Sequence, residues 1–447
     1  MLNVQREVEV RRHLLEGLSE ARVRADEIFS IVKPDFLYQR PIPERHRIIF
    51  YVGHLEAFDW NLLRDRILSL KVFHPELDQL FAFGIDPVDG GLPSDQPADW
   101  PALREVRQYV QEVRARIDQG LAALSRADWD SGPVGADFSG STLLNVAIEH
   151  RLMHAETLAY MLHQLPITGK IGPSRKPELV SQAIAFEMIE IPAGQATLGL
   201  SRENEAAFGW DNEYDEHTVE VPAFGIDRYK VTNGQYLDFI DAGGYENRGL
   251  WSDADWSWKT TQGIHHPAFW RRDGDRWYCR TMFDEVPLPQ HWPVYVSQAE
   301  AGAYARWTGK SLPTEAQWHR AAYGTPGGEE RRFPWGTGTP NSRKGNFDFD
   351  HWDPTPVNAF PEGQSAFAVA DLLGNGWEWT ATPFQPFSGF RPFSFYPGYS
   401  ANFFDGKHYV MKGASSRTAA CMLRRSFRNW FQPHYQYVYA GFRCVSN

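Results

Sequence analysis

The chain has 447 residues, more than one hydrophobic core ordinarily supports, so two or three domains are expected. Its content of 42% hydrophobic and 23% charged residues is typical of a soluble globular protein. The formal net charge of -11, with no basic block to offset it, argues against a nucleic-acid or anionic-membrane partner.

Three further features of the sequence predict a cytoplasmic protein. No apolar run approaches the ~18 residues needed to span a bilayer, so no membrane is expected as a partner. The first residues lack the basic-then-apolar pattern of a secretory signal. The cysteines, Cys279, Cys421 and Cys444, are scattered and form neither a disulfide framework nor a CxxC metal motif, which indicates a reducing compartment.

Residues 1–165 have the periodicity of a helical domain. Few glycines interrupt them, and Pro101 stands at the start of one helical stretch, where proline is favoured. A loop rich in Gly, Pro and Asp, residues 81–97, separates the second and third helices. The apolar spacing predicts an up-down four-helix bundle with helices near 4–30, 44–70, 101–126 and 140–163.

A linker over residues 166–184 is predicted from its Gly, Pro and charged residues. After it the character of the chain changes, because residues 186–194 alternate as a strand does and short strand-like runs follow. Long loops rich in Gly, Pro and Trp separate these runs, and one helix is evident near 297–308. Residues 185–447 are therefore predicted to form a second domain, which makes the chain a two-domain α+β protein.

The segment NVAIEHRLMHAE at 145–156 contains two histidines one helical turn apart. In a helix both lie on an otherwise apolar face, which is formed by Leu143, Val146, Ala147, His150, His154, Leu158 and Met161. A buried polar group without a partner costs a few kcal/mol, and one shared metal ion satisfies both rings. A metal site in the first domain is the leading hypothesis, and a pair of satisfied core histidines is the alternative.

A third histidine, His54, lies on the apolar stripe of the second predicted helix. Three inward-facing imidazoles on two helices of a bundle form a site with open coordination positions, which suits Fe, Zn, Ni or Cu. A carboxylate, Asp59 or Glu56, is the rival third ligand, but Asp59 lies off the stripe, which favours His54. Glu156, two residues after His154, is expected to orient a ligand through a hydrogen bond.

Seven short motifs of the second domain occur in an order that resembles the formylglycine-generating-enzyme fold, a relative of C-type lectins. They are PAG at 192–194, YKVTNGQY at 229–236, PVYVS at 293–297, LPTEAQW at 312–318, FPWG at 333–336, GNGWEWT at 374–380 and AGFR at 440–443. The resemblance implies the fold rather than the activity, because this fold hosts unrelated functions. The thiol chemistry of those enzymes needs a cysteine pair a few residues after a turn, and only Cys421 lies near the corresponding turn KGASS at 412–416. No calcium is predicted at 361–367, which departs from the expected Asn-Gly pattern.

The fusion of a DinB-like four-helix bundle to this second domain resembles the ergothioneine sulfoxide synthase family over nearly the whole chain. The resemblance implies non-haem iron(II) held by His54, His150 and His154. It also implies a reaction in which O2 serves to join a sulfur donor to the imidazole C2 of hercynine, a trimethylated histidine.

The residues RNW within FRNW at 427–430 match the stretch that lines the hercynine pocket in this family, and Phe431 follows them. The resemblance therefore places Arg428, Asn429, Trp430 and Phe431 among the substrate-binding residues. An aromatic face such as that of Trp430 suits a quaternary ammonium, and the amide of Asn429 can hydrogen-bond a carboxylate.

Three departures from the family pattern concern the second substrate. Phe431 stands where family members that use γ-glutamylcysteine carry an aspartate, and Met153 stands where a glutamine is common. The loop FAFGIDP at 81–87 lacks the tyrosine pair of cysteine-using members. The chain therefore resembles a divergent branch, the selenoneine synthases, in which a selenosugar is the donor and a selenoxide the product. A sulfoxide synthase that uses cysteine or another thiol is the alternative.

A tyrosine hydroxyl near the open face of the metal would be the natural proton donor. Tyr396 and Tyr399, in an aromatic loop, are the candidates, and packing within that loop is the alternative for each. Two other functions stay open: a zinc-dependent DinB-like thiol transferase that needs no oxygen, and a lectin-like binding module without catalysis.

Overall fold

A computed structural model describes residues 2–82, 92–125, 129, 138–172, 184–203 and 207–446, with side chains from residue 8 onward. The chain forms two compact units, Met1–Pro173 and Ser174–Asn447. The division falls within the range 166–184 that the sequence predicts to be a linker. Residues 173–183 lie outside the described residues, so the linker itself stays a prediction.

Five helices lie in the described part of the first unit: α1 (Leu2–Ser30), α2 (Ile48–Leu63), α3 (Pro75–Leu80), α4 (Leu103–Ala123) and α5 (Gly140–His163). The four long ones pack as a bundle in which α1 lies against α5, and α2 lies against both α4 and α5. This arrangement confirms the predicted helical domain. The short α3 lies between the second predicted helix and the predicted loop at 81–97, and it begins at a proline, which is tolerated in a first helical turn.

The second predicted helix, 44–70, is longer than the regular helix the structure contains. The α-helical hydrogen bonding of α2 ends at Leu63 and continues as one π turn, Arg64–Leu68. Ser69 then takes a left-handed conformation with φ of 50°, which ends the helix. Periodicity alone does not detect this wider turn.

Helix α5 lies at the centre of the bundle, and 20 of its 24 residues are buried. Its first turn is capped because the backbone amide of Thr142 donates to the side chain of Ser139. Helix α4 is instead amphipathic, with a single buried stripe of Val106, Tyr109, Val113, Ile117 and Leu121. Polar side chains on α5 therefore face the protein interior in almost every direction.

The second unit contains four small sheets. Their strand orders are β1-β4-β12, β10-β9-β8-β11, β2-β3 and β5-β6-β7, and among these pairings only β8 with β11 is parallel. The strands are β1 (Met188–Ile191), β2 (Gly194–Leu198), β3 (His217–Val221), β4 (Phe224–Asp227), β5 (Trp270–Asp273), β6 (Arg276–Arg280), β7 (Glu285–Pro287), β8 (Gly376–Pro383), β9 (Tyr409–Ala414), β10 (Asn429–Phe431), β11 (Ala440–Gly441) and β12 (Val445–Ser446). Small sheets and long loops together confirm the predicted α+β fold class.

Four helices accompany these sheets: α6 (Asn233–Asp241), α7 (Asp253–Gln262), α8 (Gln298–Trp307) and α9 (Glu315–Tyr323). Only α8 is predicted from the sequence. The other three, of 9 or 10 residues, are not predicted although α8 is no longer than 10 residues itself. Their start signals are nevertheless present, because Thr232, Ser252 and Thr314 each cap the helix that follows.

No helix in the described part of the chain has the length and apolar character that crossing a bilayer requires.

Candidate metal centre

Helices α2 and α5 bring three buried histidines together. His54 projects from α2, and His150 and His154 project from successive turns of α5. The ring centroids lie 4.5 Å apart for His150 and His154, 5.0 Å for His54 and His154, and 5.5 Å for His54 and His150. One ring nitrogen of each lies within 4.8 Å of the others. The structure thus assembles the predicted trio, which we call the histidine triad.

The ring of His54 is held by a backbone carbonyl. Its Nδ1 lies 2.8 Å from the carbonyl oxygen of Phe81, which can only accept a hydrogen bond. The proton is therefore assigned to Nδ1, and the lone pair is on Nε2. Phe50 stacks on the same ring at 4.7 Å. This arrangement of a ligand histidine, held by its second nitrogen, is common in metal sites.

Burial keeps all three rings neutral. It lowers the pKa of His54 to about 4, an effect that the hydrogen bond to Phe81 only partly offsets. It also lowers the pKa of His150 and His154 well below the usual value, and neighbouring histidines add to this. Neutral imidazole is the form that binds metals, so no proton has to be displaced at neutral pH.

The polar atoms of the triad fit a metal ion. Nε2 of His54 and both ring nitrogens of His154 are buried and make no hydrogen bond to any described residue. Leaving such atoms unsatisfied costs about 1–3 kcal/mol each. Their surroundings are aromatic: Phe58 stacks on His150 at 3.4 Å, and Tyr51 lies 5.7 Å from His154. An ion bound by the three rings would satisfy the nitrogens that face it.

The two carboxylates considered as alternatives to His54 hydrogen-bond to Arg151. Both oxygens of Glu56 accept hydrogen bonds from Arg151 at 2.9 Å, and Asp59 accepts one at 2.5 Å. Neither carboxylate belongs to the cluster of described residues that could hold a metal. These contacts support His54 over Asp59 or Glu56 as the third ligand.

Two other predicted residues lie on α5. Glu156 is buried, and Met153 is half-buried. The roles assigned to them, orientation of a ligand and contact with substrate, stay predictions. The segment FAFGIDP at 81–87 lacks the tyrosine pair that bears on the donor, and from residue 83 onward it lies outside the described residues.

In the second unit, Trp430 lies within a group of rings that we call the aromatic cluster. Phe384 stacks on Trp430 at 4.3 Å with the two planes 7° apart. Tyr399 and Phe403 lie 5.5 Å and 5.6 Å from it, and Tyr399 also stacks on Trp210 at 3.9 Å. The cluster joins Trp210, Phe384, Tyr399, Phe403 and Trp430 from distant parts of the sequence.

Arg428 anchors the base of this cluster. Its Nε donates to both carboxylate oxygens of Glu315 at 3.1 and 3.2 Å, and both residues are buried. Its guanidinium carbon lies 4.0 Å from the ring centroid of Phe387 and 5.0 Å from that of Phe384. Glu315 and these rings engage the guanidinium, while its predicted contact with substrate stays a prediction.

The remaining predicted residues are half-buried. In β10, the side-chain oxygen of Asn429 accepts from the backbone amide of Trp430 at 2.9 Å. The ring of Phe431 stacks on Tyr435 at 5.0 Å. Of the two predicted tyrosines, Tyr399 lies 5.5 Å from Trp430, and Tyr396 lies 5.7 Å from Tyr399.

Residues that the sequence did not single out complete both regions. Phe384, Phe403 and Trp210 surround Trp430, and Arg151 binds the carboxylates behind the triad. A signal for Arg151 was present, because a cation beside His150 on a buried helix needs a carboxylate partner. The aromatic neighbours of Trp430 carry no comparable signal, since aromatic residues are frequent throughout the second unit.

Both units match known proteins. Residues 18–158 match the family model of the DinB superfamily, and residues 175–447 match that of the sulfatase-modifying factor enzyme 1-like domain. Hercynine oxygenase of Mycolicibacterium thermoresistibile is 35% identical over 388 residues, 84% of this chain and 81% of that protein. The hercynine oxygenase of Mycobacterium tuberculosis is 37% identical over 342 residues, 76% of this chain and 77% of that protein. Ergothioneine biosynthesis protein 1 of Neurospora crassa is 28% identical over 491 residues, 92% of this chain and 55% of that protein.

Fold and site together define a class of two-domain chains, in which a DinB-type bundle with a buried histidine triad precedes a sulfatase-modifying-factor domain. Within that class, the chain belongs to the ergothioneine sulfoxide synthase family, because two relatives at least 35% identical are covered over most of their length. It is an enzyme of that family. The family and fold class inferred from the motifs are confirmed, and the selenoneine branch stays a prediction.

Proposed function

We propose that this enzyme binds iron(II) through His54, His150 and His154 and joins a chalcogen donor to the imidazole C2 of hercynine. The observation that carries the proposal is the buried, neutral histidine triad. Relatives named hercynine oxygenase support hercynine as the acceptor. Three neutral ligands leave open positions on the metal, as oxygen chemistry requires.

The reaction balances with one molecule of O2. A donor R–SeH and the C2–H bond of hercynine give a selenoxide, R–Se(=O)–C2, and water. Two electrons come from forming the C–Se bond and two from oxidising selenium, and O2 accepts all four. Iron supplies the activation of O2 when it is bound.

The protein's own contribution is binding, orientation and proton control. In this proposal Trp430, supported by Phe384, receives the trimethylammonium group, since a desolvated cation over an indole gains about 2 kcal/mol. The amide of Asn429 binds the carboxylate of hercynine. Tyr399, at the edge of Trp430, or its neighbour Tyr396 donates the proton.

For the donor, we propose a selenosugar. Phe431 stands where relatives that use γ-glutamylcysteine carry an aspartate, and it stacks on Tyr435. An uncharged aromatic pair cannot hold an ammonium group by charge, whereas the apolar face of a sugar ring packs well on aromatic surface. A thiol donor such as cysteine, which gives a sulfoxide by the same chemistry, is the alternative.

One experiment tests both levels of the proposal. Iron-loaded protein is incubated in air with hercynine and, in separate reactions, a selenosugar, cysteine or γ-glutamylcysteine, while O2 uptake and product masses are followed. The proposal expects the selenoxide of the joined product and O2 consumption with the selenosugar. If only a thiol gives product, in the form of a sulfoxide, the donor is a thiol and not a selenosugar. If the protein transfers a thiol with zinc and without O2 uptake, the proposed class of reaction is wrong.

A further inference from the structure

A fully buried ionic cluster lies between the same two helices that carry the histidine triad. Arg151 on α5 is 0% exposed, and it binds Glu56 and Asp59 of α2, which are 1% and 0% exposed. Nη1 donates to Oε1 of Glu56, while Nη2 donates to Oε2 of Glu56, to Oδ2 of Asp59 and, at 3.0 Å, to the backbone oxygen of Leu55. One guanidinium thus makes four hydrogen bonds across the interface of the two helices.

The cluster extends to the other two long helices. Arg114 of α4 donates to Glu56 at 2.9 Å and, through its two terminal nitrogens, to Asp26 of α1 at 2.7 and 2.8 Å. Glu56 thus pairs with both Arg151 and Arg114, and the cluster connects all four long helices.

Each end of the tie between α2 and α5 adjoins a metal ligand in sequence. Arg151 follows His150 directly, and the carbonyl it binds belongs to Leu55, the residue after His54. A movement of α5 along α2 would disrupt the cluster and the triad together.

Stability alone does not account for burying these charges. Replacing a buried ion cluster by apolar side chains of similar volume is often neutral or stabilising by about 1–4 kcal/mol, so such a cluster is weak evidence of a stabilising role. Apolar contacts, however, tolerate small sliding. Directional hydrogen bonds from a rigid guanidinium define one register, as buried polar groups do in some helical assemblies.

The precision that a metal needs explains why register matters here. Metal–nitrogen bonds of about 2.1 Å tolerate deviations of about 0.2 Å. A slip of one residue along a helix moves a side chain by about 1.5 Å, several times that tolerance. Because His54 and the other two ligands lie on different helices, the packing of α2 against α5 sets their separation.

We propose that Arg151 is a positioning residue, which locks the register of α5 against α2 and so holds the triad at the spacing that one metal ion requires. This inference rests on the proposed metal site, and it concerns affinity for the ion rather than the reaction. Arg151 touches no substrate in this proposal and acts through His54 and His150.

The test compares Arg151→Lys with Arg11→Lys. Lysine keeps the charge but cannot reproduce the directed hydrogen bonds of the guanidinium. Arg11 is half-buried, and its hydrogen bond to the backbone oxygen of Leu121 at 2.9 Å ties α1 to α4 rather than the ligand-bearing helices. Both variants and the full-length parent are titrated anaerobically with Fe(II), and with Co(II) as a spectroscopic probe, in competition with a chelator.

Loss of a residue that orients metal ligands typically weakens metal affinity by about 10- to 100-fold, and we expect a loss of that size for Arg151→Lys. The visible absorption of bound Co(II), which reports ligand geometry, is expected to change as well. Arg11→Lys should bind the ion within about twofold of the parent protein, because its hydrogen bond joins α1 to α4 and does not involve the ligand-bearing helices.

Parental affinity and an unaltered Co(II) spectrum in Arg151→Lys would overturn the proposal, as would an equal loss of affinity in Arg11→Lys. If Arg151→Lys does not fold, Glu56→Gln, which removes the opposite charge isosterically, is measured against the same criterion. No hercynine, donor or turnover enters these measurements. A parent protein that binds the ion but forms no product therefore refutes the proposed reaction and leaves the positioning role intact.

Discussion

The histidine triad and the aromatic cluster are both assembled around residues that the sequence singled out, but they are built in different ways. The triad lies on two regular helices, whose other contacts hold it in register. The aromatic cluster joins β10 to irregular segments, one of them more than 200 residues away in the sequence. Trp210 stacks on Tyr399, and Tyr399 in turn contacts Trp430. A regular helix fixes the relative positions of all the side chains it carries, whereas each ring in a loop needs a contact of its own to hold it in place.

This difference predicts where substitutions act. Changes at the triad should remove the metal and leave the fold, because the apo rings make few hydrogen bonds there. Changes at the anchor of the aromatic cluster should disturb folding. Changes within the cluster itself should affect substrate binding.

The largest effect is expected from His54→Ala or His154→Ala. Either variant loses one of three ligands, so iron content and product formation should fall to background while circular dichroism stays that of a folded protein. His13→Ala, on an exposed face of α1, is the matched control and should keep both iron and activity. Substantial turnover in either triad variant would refute the metal centre.

Arg428→Met tests the anchor beneath Trp430. The substitution leaves Glu315 as a buried carboxylate without its main partner, which typically destabilises a protein by about 3–5 kcal/mol. Urea denaturation should show this loss in the second unit, whereas Fe(II) affinity stays unchanged. A variant as stable as the parent would show that Arg428 is not an anchor.

Trp430→Ala should weaken hercynine binding by about 30-fold, the equivalent of a cation–π contribution of about 2 kcal/mol. Trp430→Phe keeps an aromatic face and should restore part of that loss. Steady-state kinetics with hercynine as the varied substrate separate the two. An unchanged KM in the alanine variant would remove Trp430 from the binding site.

The smallest effect concerns a buried carboxylate of the second unit. Burial, only partly offset by Lys230, raises the pKa of Asp371 to about 6 from an ordinary 3.8. The folded state then binds this proton more tightly than the unfolded state, so stability is greatest at low pH and is lost as pH rises through about 6. Between pH 5 and 7 the loss should be about 1 kcal/mol.

The measurement for Asp371 is the free energy of unfolding of the parent protein and of Asp371→Asn at pH 5 and pH 7. The asparagine variant should lack that part of the pH dependence. Equal pH dependence in both proteins would contradict the raised pKa.

The first unit shows how far sequence reasoning reaches. A spacing of four residues is enough to put His150 and His154 on one face of a helix, because helical geometry is local. The apolar stripe of α2 likewise directs His54 inward. Fold class and family followed from motif order, since short motifs in a fixed succession are specific even where each one is weak.

Only the tertiary structure decided which residues meet across the chain. The carbonyl of Phe81 orients His54, which is 27 residues away, and Arg151 pairs with Glu56, which is 95 residues away. The rings around Trp430 also come from separate parts of the chain. No local pattern encodes such pairs, because they depend on how whole elements pack. Helices α6, α7 and α9 were also missed, although Thr232, Ser252 and Thr314 mark their starts, because helices this short depend on tertiary packing for most of their stability.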